Sequence, residues 1–101
     1  MGLFGRKNAL SAPRSVGDDP KSAEILRAWI VHGDLHVVLR HDAFEDDAAW
    51  GLLLVDLARH VANARQQSGG REPTEVLQRI RAGFDAEWES PTDEARGQVT
   101  Q

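Results

Sequence analysis

One amphipathic helix constrains the fold of this chain more than any other stretch of its sequence. Residues 46–67 carry an apolar side chain at every third or fourth position, which is the spacing of one helix face: Trp50, Leu53, Leu54, Leu57, Val61 and Ala64. Asp46 is placed to accept free amides of the first turn, and a Gly-Gly pair ends the pattern. Leu52 and Val55 point away from this stripe, so the helix needs a second apolar contact.

A β-hairpin is predicted for residues 24–40, ahead of this helix. The stretch is rich in β-branched residues, and Gly33-Asp34 predicts a type II′ turn that pairs Ile30 with Val37. Face A of this hairpin is wholly apolar and is expected to cover the central helix; it consists of Leu26, Ala28, Ile30, Leu35, Val37 and Leu39. Face B mixes apolar and charged side chains and consists of Ile25, Arg27, Trp29, Val31, His36, Val38 and Arg40.

A helical start is the competing interpretation of residues 19–31. Asp19-Pro20 is a suitable cap and first-turn pair, and the apolar residues that follow also fit helical spacing. The sequence therefore leaves open whether this stretch is a strand throughout or begins as a helix.

A second helix is predicted for residues 73–90, after the Gly-Gly break. Pro73 stands near its start, Pro91 ends it, and its apolar stripe consists of Leu77, Ile80, Phe84 and Trp88. The predicted fold is α+β: a β-hairpin followed by two antiparallel helices, in the order ββαα. Residues 23–90 are predicted to form a single α+β domain. A disordered N-terminal segment, residues 1–22, is predicted before it, and a flexible C-terminal tail, residues 91–101, after it.

Composition argues against several classes of protein. The 101 residues include no cysteine, so disulfides and thiol chemistry are absent. No apolar run is long enough to span a membrane, and the N-terminal residues lack the apolar core of a secretory signal. The formal net charge of −4 argues against nucleic-acid binding. These features are typical of a cytoplasmic protein.

The residues capable of chemistry do not predict a catalytic, cofactor or metal site. His32 and His36 lie on opposite faces of the predicted hairpin, so they cannot share a metal ion. Asp56 and His60 are one helical turn apart, a spacing that a local surface contact explains better than a general base. A weak polar site is conceivable only between subunits, with the residues Arg27, His36, Arg40 and His60.

Apolar residues that a single chain cannot cover indicate a homodimer. If the helices cover face A, the uncovered set is Trp29, Val31, Val38, Leu52 and Val55. A lone hairpin is marginally stable and has unpaired edges, so we predict a dimer through face B, in which the second copy either joins the sheet at an edge or stacks upon this face. We therefore predict a non-enzymatic protein-interaction module that forms a homodimer and can bind a further protein partner. The alternative is a small enzyme or ligand-binding protein with its site at the subunit interface.

Several short strings resemble a family of small bacterial proteins. They are Ile25-Leu26-Arg27-Ala28-Trp29-Ile30, Leu35-His36-Val37, Ala43-Phe44-Glu45-Asp46, Ala48-Ala49-Trp50-Gly51, Arg59-His60-Val61-Ala62 and Phe84-Asp85-Ala86-Glu87-Trp88. The family is the one called domain of unknown function 5076, and the resemblance covers residues 20–93. It implies a bacterial, cytoplasmic protein and supplies no activity, cofactor or catalytic residue.

Overall fold

The computed structural model describes residues 9–92 and the backbone of residues 97–100. These residues form six elements in the order α1 (Arg14–Asp18), β1 (Leu26–Val31), β2 (Asp34–Arg40), α2 (Ala48–Gly69), α3 (Pro73–Glu89) and β3 (Gly97–Thr100). The hairpin followed by two long helices confirms the predicted α+β class and the ββαα order. The stretch that the competing interpretation made helical is strand from Leu26 onward, and α1 is a short exposed helix that buries no residue.

The hairpin turn lies one residue earlier than predicted. His32 and Gly33 occupy its two central positions with φ angles of 51° and 83°, and Val31 pairs with Asp34. Positive φ at both positions is the pattern of a type I′ turn, whereas the predicted type II′ turn required it only at its first central residue. The predicted register is therefore wrong, and Ile30 pairs with Leu35.

The two faces of the hairpin survive this correction. Every cross-strand partner changes by two positions, and side chains alternate along a strand with a period of two, so each residue keeps its face. Trp29 lies opposite His36 on face B, and Ala28 lies opposite Val37 on face A. The correction therefore changes which residues are neighbours but not the chemistry of either face.

Replacing Gly33 by alanine is expected to destabilise the protein by about 1–2 kcal/mol, because a Cβ is disfavoured at positive φ. Lack of space is not the cause, since nothing lies within 4 Å of a Cβ built at this position. Gly83 is the matched control: it has equal space inside α3, so Gly83→Ala should stabilise the protein by about 0.5–1 kcal/mol. Chemical denaturation measures both free energies of unfolding. Equal effects of the two substitutions would contradict the turn.

Local sequence signals set the ends of the two long helices. The N-cap residue of α2 is Asp47, one position later than predicted, and its side chain makes no capping bond. The Asp46 carboxylate still accepts an amide of the first turn, because its Oδ1 atom lies 2.9 Å from the backbone nitrogen of Ala48. Gly70 ends α2 in the left-handed conformation with a φ of 69°. The Glu72 Oε1 atom accepts the amide of Thr74 at 3.0 Å at the start of α3. The short connection between these caps brings α2 and α3 together as neighbours.

A third strand extends the predicted hairpin. β3 pairs in parallel with β2, which gives a sheet with the order β1-β2-β3. The sequence predicted only a tail in this part of the chain, because residues 97–100 have no period of apolar side chains. β2 therefore becomes the central strand, and β1 lies at the edge of the sheet.

The core among the described side chains is small and lies where α2 meets α3. Its buried members are Ala62 and Val76, which are 1% and 4% exposed. Only part of the predicted stripe of α2 is covered, because Leu54 and Leu57 are 48% and 45% exposed whereas Trp50 and Leu53 are half-buried. The prediction that these leucines fill the core of one chain is therefore wrong. Apolar residues lie on more than one side of α2, and periodicity does not say which neighbour covers which side.

The sheet and the helix pair leave each other uncovered. Over the ordered elements, no Cα atom of the sheet lies within 8 Å of a Cα atom of α2 or α3. Ile30 and Leu35 of face A are 72% and 56% exposed. The expectation that face A covers the central helix is therefore wrong within one chain. Two apolar layers that would normally pack together remain open.

Candidate interaction surface

Face B combines an aromatic ring with cationic and imidazole groups. The guanidinium carbon of Arg27 lies 5.3 Å from the ring centroid of Trp29, which is a cation–π contact. The Arg27 Nε atom is also 3.3 Å from the Glu24 Oε2 atom. His36 is the cross-strand neighbour of Trp29. Face B is therefore polar as well as aromatic, and Glu24 already pairs with its guanidinium.

Arg40 holds the base of the hairpin together. Its Nε atom donates to the carbonyl oxygen of Glu24 at 3.0 Å, and its backbone N–H donates to the carbonyl of Ile25 at 2.9 Å. Both bonds fix the chain where it enters β1. The guanidinium of Arg40 thus has a structural partner in the sheet, in addition to its place on face B.

His60 lies on a different element from the other three polar candidates. Together with Asp56 it lines an open groove of about 430 Å³ along α2, and the other lining residues are apolar: Phe44, Ala49, Leu52, Leu53 and Leu57. No hydrogen bond or ion pair joins the two side chains in the described structure. The chain therefore brings Arg27, His36 and Arg40 to one face of the sheet and leaves His60 on α2. One chain does not assemble the four into one site.

The five predicted interface residues fall on two surfaces. Trp29 and Val31 are 41% and 39% exposed on face B, where Val38 is half-buried. Leu52 and Val55 are 70% and 48% exposed on α2. Leu52 also lines the groove that contains His60. These residues are accessible for contact with another molecule. They lie on two different elements, the sheet and α2, rather than on one.

Sequence reasoning missed the larger part of the exposed apolar surface. Seven further large apolar side chains of the sheet and the α2–α3 pair are between 45% and 73% exposed: Ile30, Leu35, Leu54, Leu57, Val61, Phe84 and Trp88. Phe84 and Trp88 stack on each other, with ring centroids 5.5 Å apart. Periodicity assigned these residues to a buried side without identifying what buries it. The sheet and the helix pair therefore expose aromatic and aliphatic side chains that no other part of the described chain buries.

Two other kinds of site were sought in the described residues. No group of His, Asp and Glu side chains there is arranged to hold a metal ion. None of the helices in this part of the chain combines the length and the apolar character needed to cross a bilayer. The candidate surface is consequently defined by its apolar side chains.

Comparison with known proteins identifies a family and several solved structures that are similar to this chain. The sequence model of a family described as a domain of unknown function (DUF5076) matches residues 9–92. A solved structure from the photosynthetic bacterium Rhodopseudomonas palustrus CGA009, provisionally named a pyruvate dehydrogenase, is 39% identical with a TM-score of 0.71. The match covers 91% of this chain and 94% of that chain. No curated protein matches the sequence significantly.

Proposed function

Since this chain belongs to the family of domain of unknown function 5076, whose description assigns no activity, we propose a function from its exposed surface: a non-enzymatic protein-interaction module that acts as a homodimer. The observation that carries the proposal is a set of eleven large apolar side chains on the sheet and helix pair, each 39–73% exposed. If each side chain has roughly 150–250 Å² of surface, their exposed area is on the order of 1,000 Å². This total covers the contacts with both a second copy and a further partner, and a standard protein interface buries about 800 Å² on each side.

The small core supports a second copy as the partner. Ordering the backbone costs about 1–2 kcal/mol per residue, whereas burial of apolar surface returns about 25 cal/mol per Å². Ala62 and Val76 are the only buried apolar residues among those described, so much apolar surface remains whose burial on association would offset this cost. A second copy is the partner that is always present at the same concentration as the chain itself. Obligate homodimers have this property, in which folding and association are inseparable.

The polar residues support an interaction module over a small enzyme. The Glu24 carboxylate forms an ion pair with Arg27, and the backbone carbonyl oxygen of Glu24 accepts a hydrogen bond from Arg40. These contacts fit a structural role for both guanidinium groups. His36 and His60 lie on different elements. An enzyme site at a subunit interface would need the partner copy to bring His60 to face B. Binding through the exposed apolar side chains does not require His60 to approach face B.

The predicted interface set remains part of this proposal. Face A is not covered by the helices of its own chain. Either face A or face B could therefore contact the second copy. This set was predicted as the contact between two copies, but because face A is more apolar and more exposed near the turn, we propose instead that the set binds a further protein partner; its residues are Trp29, Val31, Val38, Leu52 and Val55. Aromatic residues beside an arginine are common at the centre of such contacts. We place the module in the cytoplasm, because a chain without cysteine fits a reducing compartment.

The thermal unfolding temperature tests the homodimer. Because association stabilises only the folded state, the temperature should rise with protein concentration. Circular dichroism over a hundredfold concentration range measures it. A temperature independent of concentration would contradict a dimer in which folding and association are coupled. The Leu10→Ala variant is the control, since Leu10 is 96% exposed and should leave the concentration dependence unchanged.

A further inference from the structure

The way in which the two copies meet can be inferred from the faces that one chain leaves open. We propose that face A of each copy packs on the helix pair of the other copy, so that the two chains exchange layers and complete each other's core. This inference rests on the proposed homodimer and adds its geometry. The occupant of each open face is therefore a second copy of this chain.

Face A is the sheet surface with the greater need of a cover. All six of its side chains are apolar, whereas face B carries Arg27 and His36. Near the turn, Ile30 and Leu35 of face A are 72% and 56% exposed, compared with 41% for Trp29 of face B. Burial of face B would also desolvate a guanidinium and an imidazole, which costs free energy unless both are paired. Face A involves no such cost.

The helix pair offers an apolar surface of matching kind and size. Leu54, Leu57 and Val61 follow each other at helical spacing on α2 and are 45–48% exposed. Phe84 of α3 is 45% exposed. With 22 residues, α2 is about 33 Å long, and the seven residues of β2 extend about 23 Å. The helix pair is thus long enough to cover the whole of face A.

Symmetry favours the exchange over contacts between like faces. In a two-fold dimer, a contact from surface i to surface j is repeated from j to i. A single sheet-to-helix contact therefore covers both open faces in both copies. Packing the two sheets on each other would leave Leu57 open, and packing the two helix pairs on each other would leave Ile30 open. The exchange is the arrangement in which one type of contact covers both layers.

Cross-linking between single-cysteine variants tests this geometry. The natural chain has no cysteine, so Ile30→Cys on face A and Leu57→Cys on α2 each introduce a unique thiol. One variant carries a size tag, and the two are unfolded, mixed and refolded before treatment with a short bis-maleimide. We expect the mixed product to exceed either like-with-like product several-fold. Arg79→Cys, at an exposed position of α3, replaces Leu57→Cys in the control and should give little mixed product.

Each other outcome overturns the exchange. Dominant cross-linking of Ile30→Cys with itself would show sheets packed on each other, and dominant cross-linking of Leu57→Cys with itself would show helix pairs packed on each other. A linked single chain in the double variant would show that the layers close within one chain. Absence of every product from a dimeric protein would place the contact elsewhere. A monomeric natural protein would instead contradict the proposed function itself.

Charge substitution at two neighbouring residues of β1 gives an independent test. Ile30→Glu places a carboxylate on face A and should abolish the dimer, whether the product is a folded monomer or an unfolded chain. Trp29→Glu places the same charge on face B and should leave a folded dimer. Light scattering with circular dichroism measures both properties. The opposite pattern, with only Trp29→Glu dissociating, would assign the contact between copies to face B and overturn the exchange.

Discussion

Replacing Ala62 by aspartate is expected to unfold the protein, with a loss of about 3–5 kcal/mol in the free energy of unfolding. Ala62 is 1% exposed, and it is the buried residue of α2, which packs against α3. A carboxylate at this position would lose its hydration, and the larger side chain would also separate the helices. The loss is comparable with the whole stability of many small domains.

The neighbouring residue provides the control for this substitution. Asn63 is exposed on α2, so Asn63→Asp adds the same charge at nearly the same point of the helix without burying it. Its effect should be within about 0.5 kcal/mol of zero. Far-ultraviolet circular dichroism in a urea titration compares both variants with the natural protein. Similar stabilities of the two variants would contradict the contact between α2 and α3 as the core of the chain.

Replacing Leu57 by alanine is expected to cost about 2–5 kcal/mol, the range for a fully buried leucine. Leu57 is 45% exposed in one chain, so its own chain explains only part of this loss. The remainder follows from the second copy, whose sheet covers α2 in the proposed dimer. The loss should therefore appear partly as weaker association.

Leu10→Ala makes the same chemical change at a site that is 96% exposed, and should have almost no effect. Urea titrations at two protein concentrations separate folding from association. For Leu57→Ala, the midpoint should decrease at both concentrations and should still rise with concentration, as it does for the natural protein. A loss below about 1 kcal/mol would show that Leu57 remains half-exposed in the functional protein.

Features that depend on neighbouring residues could be predicted from the sequence. The Asp46 bond to the first turn of α2, the left-handed Gly70 and the proline at the start of α3 each act within a few positions of the chain, so their residue types suffice. The alternation of the strands also gave the correct composition of both faces. The turn was placed incorrectly because His32 adopts a positive φ of 51°, which is unusual for a residue other than glycine.

Features that depend on contacts between distant segments could not be predicted in the same way. Leu54 and Leu57 have the spacing of a buried stripe, but spacing does not identify the segment that buries them. The third strand was missed because its residues, 97–100, lack an apolar period and gain their place by pairing with β2. A partner chain leaves only one trace in the sequence, which is an excess of apolar side chains over those that a single chain can bury.

Only part of the candidate surface could be predicted, because the sequence does not show which apolar residues are covered within the chain. Leu52 and Val55 were identified because they point away from the main stripe of α2, and both are exposed in the structure. Ile30 and Leu35 were assigned to the core because a wholly apolar face is normally covered within its own chain. The premise was wrong for this fold, since among the described elements no Cα atom of the sheet lies within 8 Å of one in α2 or α3.

The mass of the protein in solution tests the central claim most directly. Static light scattering on a column eluate, at micromolar concentration, reports the mass independently of shape. If a second copy completes the core, the mass should be about 22 kDa, twice the 11.2 kDa of one chain. A folded species with the mass of a single chain at that concentration would contradict the claim.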